Sequence, residues 1–181
     1  VSKNKHEGIH LYCANRNEVR NNEVIDNDLS GIAVMPWSAC SCITEDNIIE
    51  ENNVTHNGYG PIPGSYYDGI LLIKTRRNNV TNNFVNDNKD VGIRLAEATQ
   101  NKVEGNNVTK NGLSGVIFET TSQNNALLRN NITFNQQGGV AIVNSEYATV
   151  LENNIEENQA GDGIFITTTP QTANKLNILI E

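Results

Sequence analysis

A glycine-led phrase returns seven times along the chain, and its spacing constrains the fold more than any other feature. Gly8, Gly31, Gly69, Gly92, Gly115, Gly139 and Gly163 each open a Gly-Φ-x-Φ stretch, with Φ aliphatic or aromatic. The steps between them are 23, 38, 23, 23, 24 and 24 residues. A second phrase, Asn-x-Φ-x-x-Asn-x-Φ-x-x-Asn, follows each of the first five glycines, as in Asn101-Val103-Asn106-Val108-Asn111. The sixth copy keeps Asn153, Ile155 and Asn158 but has Ala148 in the leading place. Repetition at a period of roughly 20–50 residues is the signature of a solenoid.

Within each repeat, aliphatic residues alternate with polar ones in three short segments, the period-2 signal of half-buried strands. The first segment sends pairs such as Ile32/Val34, Ile93/Leu95 and Val116/Phe118 to one side; the other two send single residues such as Val103 and Val108. Asn, Gly and β-branched residues disfavour helix throughout. Three strands per turn, stacked in register on the next turn, predict an all-β parallel β-helix of about seven turns. Residues 1–181 read as a single domain of this kind. A leucine-rich repeat would need more leucine, and a calcium-binding nonapeptide roll would need Gly-Gly-x-Gly-x-Asp runs that do not occur.

The asparagines fit a structural role twice over. Asn tolerates the left-handed backbone of a tight bend, and stacked Asn amides can bond from turn to turn. The column Asn22, Asn52, Asn83, Asn106, Asn130, Asn153 is the expected ladder. The glycine column is expected to answer a backbone requirement at the entry to the first strand. Both chain ends fall inside a repeat, so the expectation is an uncapped piece of a longer protein, with caps or a targeting segment outside it.

The two phrases resemble the right-handed parallel β-helix repeat family, the pectate-lyase-like superfamily in the broad sense. Members lyse, hydrolyse or epimerise acidic polysaccharides, or only bind, and are commonly exported or cell-surface proteins. The resemblance implies a substrate lying along the outer face of the first strand column and its flanking loops. Partners would be a polysaccharide and flanking domains of the same longer chain. The Asp-Pro-His phrase of the alginate-epimerase branch has no counterpart here; the nearest string is Asn4-Lys5-His6-Glu7. The alternative class is a non-catalytic adhesion or assembly scaffold, and many outward positions on the first column are apolar enough to pack against another domain.

The 38-residue repeat marks a candidate site. Its extra residues are expected at Gly58–Asp68, a loop carrying Tyr59, Tyr66 and Tyr67 as sugar-stacking surfaces. Beside it lie Lys74, Arg76, Arg94 and Glu119. A lyase or epimerase must neutralise a uronate carboxylate and remove the C5 proton. Lys74 or a loop tyrosine is then the base, Arg94 holds the carboxylate, Asp68 orients its partner, and Arg76 adds a substrate contact. Lys74 and Glu97 occupy equivalent places on adjacent turns and could instead pair. Glu97 and Glu119 could approach the separation that a hydrolase needs. His6, His10 and His56 read as ordinary surface or turn histidines.

Composition excludes some classes. A net charge of −8 without a basic, aromatic stripe argues against nucleic acid, and no apolar run is long enough to insert in a membrane. No metal cluster is spelled out; calcium stays open as a cofactor, with scattered carboxylates but no ligand spacing. Cys13, Cys40 and Cys42 leave two readings open: one bridge, Cys13 to Cys40, or free thiols.

Overall fold

The computed structural model describes residues 1–36, 42–168 and 179–180. These residues wind into a parallel β-helix. The first sheet stacks Ile9–Tyr12, Ile32–Met35, Ile70–Ile73, Ile93–Ala96, Val116–Glu119, Val140–Val143 and Ile164–Thr167. The second stacks seven segments from Glu18–Arg20 to Leu179–Ile180, and the third stacks six from Glu23–Ile25 to Asn154–Glu156. Every pairing is parallel and joins residues at the same place in successive repeats, as in Ile93↔Val116, Val103↔Leu127 and Val108↔Ile132. A narrow fourth strip forms where Thr44–Glu45 pairs with Thr75–Arg76 and is prolonged by bridges at Thr99, Gln123 and Glu146. Among the described residues no helix is long and apolar enough to cross a membrane.

The core follows the alternation. Ile32, Val34, Ile70, Leu72, Ile93, Leu95, Val116 and Phe118 of the first sheet are fully buried. Val80, Val103 and Leu127 of the second sheet and Val54, Val85 and Val108 of the third meet them inside. Burial of such side chains contributes about 1.5–3 kcal/mol each before entropy is charged against it.

Three asparagine ladders, rather than the single one expected, run along the bends. Asn17, Asn47, Asn78, Asn101 and Asn125 make the first. Asn22 to Asn153 make the second, as expected. The third runs from Asn4 through Asn27, Asn57, Asn88, Asn111 and Asn135 to Asn158. Each rung accepts two bonds from the rung before it. Asn106 Oδ1 takes the Asn83 backbone N–H at 2.9 Å and the Asn83 Nδ2 at 3.0 Å. Asn106 Nδ2 then donates to Val80 O, Glu104 O and Asn130 Oδ1. Asparagine suits the place because its amide carries an acceptor and two donors on a short arm, so these buried groups are satisfied.

The left-handed residue is not the ladder asparagine but the residue before it. Asn21, Glu51, Asn82, Arg129 and Glu152 all have φ between 51° and 55°, and Lys3, Asp26, His56, Asp87, Lys110, Phe134 and Glu157 repeat the pattern at the third bend. The bend turns the backbone one residue early, which leaves the asparagine in ordinary φ space with its side chain pointing inward. The glycine column is set by room. A Cβ on Gly92 would drive into Val108 Cγ1 and come within 2.7 Å of the Gly115 carbonyl oxygen.

The long repeat departs from expectation in two ways. The span from Asn57 to Gly69 is 12 residues against 4 from Asn88 to Gly92, and the span from Gly31 to Asn47 is 16 against 9 from Gly69 to Asn78. The extra residues are therefore split about evenly between the stretch before Gly69 and a second stretch after Met35. A Cys13–Cys42 disulfide, with Cα atoms 5.5 Å apart, ties the second insertion to the first turn. This replaces both the Cys13–Cys40 pairing and the free thiols; Cys40 lies outside the described residues. Ala33 and Leu71, outward on the first sheet by strand alternation, are nevertheless buried. The outer face of that sheet is thus covered at the second and third turns.

Candidate functional site

The residues singled out in the sequence separate into three groups. Asp68, at the end of the tyrosine loop, enters the first-sheet edge fully buried. Arg94, outward on the strand one turn on, places Nε 2.8 Å from Asp68 Oδ2 and Nη1 2.7 Å from Glu119 Oε1. The Tyr66 ring lies 5.6 Å from the Arg94 guanidinium carbon. Asp68 Oδ1 also accepts the Val91 N–H at 3.0 Å. Burial pushes the Asp68 carboxyl up to about 6, against the pull of Arg94 and the Val91 amide. Burial works against the Arg94 charge, but Asp68 and Glu119 more than offset it and hold its pKa above the ordinary value. The site is a carboxylate–guanidinium–carboxylate line running from the buried edge to the surface, where Glu119 is 26% exposed.

Lys74 stands apart, on the bend after the first sheet, with Nζ 3.6 Å from Glu97 Oε2 and both side chains half exposed. Arg76 belongs to the same bend and pairs with Glu45, beside Arg77 and Asp46. Tyr59 and Tyr67 form the third group, at the corner before the first sheet. Tyr67 donates its hydroxyl to Ile62 O and faces Lys89 Nζ at 4.2 Å. Tyr59 stacks on His56 instead. Of the loop tyrosines, only Tyr66 shares a site with Arg94.

A feature not singled out beforehand adjoins Glu119. At the fifth to seventh turns an open depression of about 500 Å³ runs over Ile117, Ala141 and Val143 of the first sheet. Gly138 and Gly161 form one wall, with Asp162 and Phe165 on its rim. Phe165 is 47% exposed. The outward roll of the first column was readable in the sequence; the depression was not, because it depends on two glycines at the neighbouring corner lying low beside it.

Stacked parallel turns, interior amide ladders and a groove-bearing first sheet define the right-handed parallel β-helix class, as the repeat phrases implied. Within that class, the chain belongs to the family described as periplasmic copper-binding protein (NosD), whose model matches residues 1–137 and 67–177. A comparison with curated proteins gives no match. Among solved structures, the chain is similar to the periplasmic alginate epimerase AlgG, with a TM-score of 0.77 and 23% identity over 92% of this chain and 36% of that one. It is also similar to the A-module of the Azotobacter vinelandii mannuronan C-5 epimerase AlgE4, with a TM-score of 0.52 and 13% identity over 97% of this chain and 52% of that one. The chain thus spans about a third of the first of these and about half of the second, and likeness at this identity establishes the fold.

The copper in the family description can be tested against the residues. Copper favours imidazole, thiolate and thioether ligands. Cys13 and Cys42 are joined to each other, His10 faces Glu7, and His56 faces Asp26. Among the described residues no three His, Cys, Asp or Glu side chains stand together as metal ligands. The residues described do not fit a copper centre.

Proposed function

We propose that this chain is a carbohydrate-active β-helix of the periplasm or cell surface that engages a uronate-containing polysaccharide along the outer face of its first sheet. The observation that carries the reading is the register that sets Arg94 beside Ile117 and Glu119 beside Val143, two residues lining the open depression that reaches Phe165. An extended sugar chain needs such a trough, with an exposed ring for stacking and charged groups at one end. The two similar structures, an alginate epimerase and a mannuronan C-5 epimerase module, support the same reading.

The chemistry we assign is of lyase or epimerase type. A substrate carboxylate would displace Glu119 from Arg94 Nη1, while buried Asp68 keeps the guanidinium oriented through Nε. Tyr66, the loop tyrosine beside the Arg94 guanidinium, is the base for the C5 proton. The scaffold alternative draws on a specific observation: Lys74 and Glu97 already pair on an exposed wall, and both edges of Arg94 are occupied.

A panel of acidic and neutral polysaccharides, with and without calcium, separates the two. Product is followed by ultraviolet absorbance of unsaturated uronates, by reducing ends and by proton NMR of epimerised residues. Activity that falls at least tenfold in Tyr66→Phe and persists in Glu119→Gln, which removes only the competitor for Arg94, supports the assigned roles. Binding without turnover across the panel favours the scaffold. Arg94→Ala is a poor probe, because it leaves the Asp68 carboxylate buried without its partner.

A further inference from the structure

The corner where the third sheet turns back to the first carries a built aromatic platform that the first-sheet site does not use. Tyr59 is 51% exposed, yet its backbone is fixed on both sides. Gly58 N–H donates to Asn27 O and Gly60 N–H donates to Asp28 O, each at 2.9 Å. There is no room for a side chain at either glycine: a Cβ at position 58 would press on Tyr67, and one at position 60 on the Asp28 backbone. One ring face lies on the His56 imidazole, with centroids 4.4 Å apart and planes within 19°. His56 is held in turn by Asp26, Nδ1 to Oδ1 at 2.7 Å. Asp26 and His56 sit on consecutive left-handed bends, so the turn-to-turn stacking of the solenoid places them against each other. Tyr59 and His56 line a depression of about 280 Å³ together with Lys3, Asp26, Asn27 and Asp28.

We infer that Tyr59, backed by His56, is a stacking subsite for one neutral pyranose ring, with Asp26, Asp28 and Lys3 facing the sugar hydroxyls. The inference rests on the carbohydrate reading above and adds a second contact point with a different preference. Four features favour a sugar. The ring is rigid and half exposed, which presents contact area at small entropic cost. Carboxylates and an ammonium surround it, a mixture of acceptors and donors that matches hydroxyl groups. The depression is at the lower limit of ligand pockets, suited to one sugar unit. Finally, the charge around the ring disfavours a uronate: Asp87 and Asp90 lie near enough to help burial raise the Tyr59 phenol pKa, Asp26 adjoins His56, and Lys5 is taken up by Asp28.

The test is an NMR titration of the whole chain with two probes, a neutral trisaccharide series (cellotriose, maltotriose, mannotriose) and trigalacturonate. At least one neutral trisaccharide is expected to shift the Tyr59 and His56 ring signals, with trigalacturonate leaving them unchanged. Tyr59→Ala should weaken that binding about tenfold, as expected for losing an aromatic contact worth on the order of 1 kcal/mol or more. Tyr59→Phe should retain it, because the ring and not the hydroxyl makes the contact. Neutral binding that survives Tyr59→Ala, or trigalacturonate shifting the Tyr59 signals, overturns the inference. Shifts confined to Phe165, Glu119 and their neighbours would end it while sparing the carbohydrate reading. No shift anywhere with any sugar would remove both.

Discussion

Replacing one interior rung of an asparagine ladder should cost several times more than replacing the first rung of the same ladder. Asn106 is 1% exposed and sits mid-stack. Truncating it to alanine removes the acceptor for two donors, the Asn83 backbone N–H and one Asn83 side-chain N–H. The other Asn83 amide hydrogen keeps Ile49 O, and Asn130 Oδ1 keeps the Asn106 backbone N–H, so two buried donors are left orphaned. Each orphan costs about 1–3 kcal/mol, and the void adds to it, giving about 3–5 kcal/mol. Asn22 is half-buried at the first rung, and its side chain only donates, to Arg20 O and Asn52 Oδ1. Asn22→Ala leaves Asn52 Oδ1 with the Asn22 backbone N–H and should cost about 1 kcal/mol. Urea unfolding followed by far-ultraviolet circular dichroism measures both, and an unchanged slope keeps the comparison within one transition. Equal losses for the two variants would refute the reasoning, since burial of the orphaned donors is what separates them.

Other outcomes follow from single contacts. Gly92→Ala should destabilise by about 3 kcal/mol through overpacking, whereas Gly163→Ala, whose nearest neighbour atom among the described residues would be 3.8 Å away, should be almost neutral; thermal melts compare them. Thr75→Val should stabilise by about 1 kcal/mol, because the Thr75 hydroxyl is buried without a partner; a lower melting temperature would argue for an internal bond not seen. Asp68 has a folded pKa of about 6, above its unfolded value near 3.9, so the folded state binds the proton more tightly. Stability from this group therefore rises as pH falls from 7 to 5, by about 1 kcal/mol. Glu45, Asp46 and Glu104, held low chiefly by arginine and lysine hydrogen bonds, lose their contribution only below the ordinary carboxylate range. Asp68→Asn should abolish the gain between pH 7 and 5, read by urea midpoints at each pH.

Most of the architecture was legible because the interior columns must repeat. Val103 and Val108 face inward in every turn for the same reason, and any break would leave a hole in a thin core. What the repeat does not encode was harder to read. Glycine-to-glycine spacing gives the length of an insertion but not its place, so the stretch after Met35 went unseen and with it the partner of Cys13. The left-handed positions hold Lys, Glu, His and Phe as readily as Asn, which leaves no residue type to mark them. At the candidate site, the repeat spacing puts Arg94 and Glu119 on adjacent turns, and the structure brings the loop residue Asp68 to the same guanidinium. Lys74 and Arg76 were drawn to them only by nearness in sequence; the bend at Lys74 carries both to another face.

The ladders also give the solenoid a direction. In each file the side-chain oxygen faces the first turn and one amide N–H donates toward the last, as in Asn83 to Asn106 to Asn130. Backbone bonds run both ways between turns, as Lys3 to Ile25 and Ile25 to Val1 do, and largely cancel. The amide dipoles of the three files instead add along the axis, the side-chain counterpart of a helix macrodipole, and bonded chains of this kind polarise one another. The C-terminal end is the positive pole. Residues 145–168 carry Glu146, Glu152, Glu156, Glu157 and Asp162 and no lysine or arginine, so the carboxylates there stand without basic neighbours in sequence where the aligned amides favour negative charge.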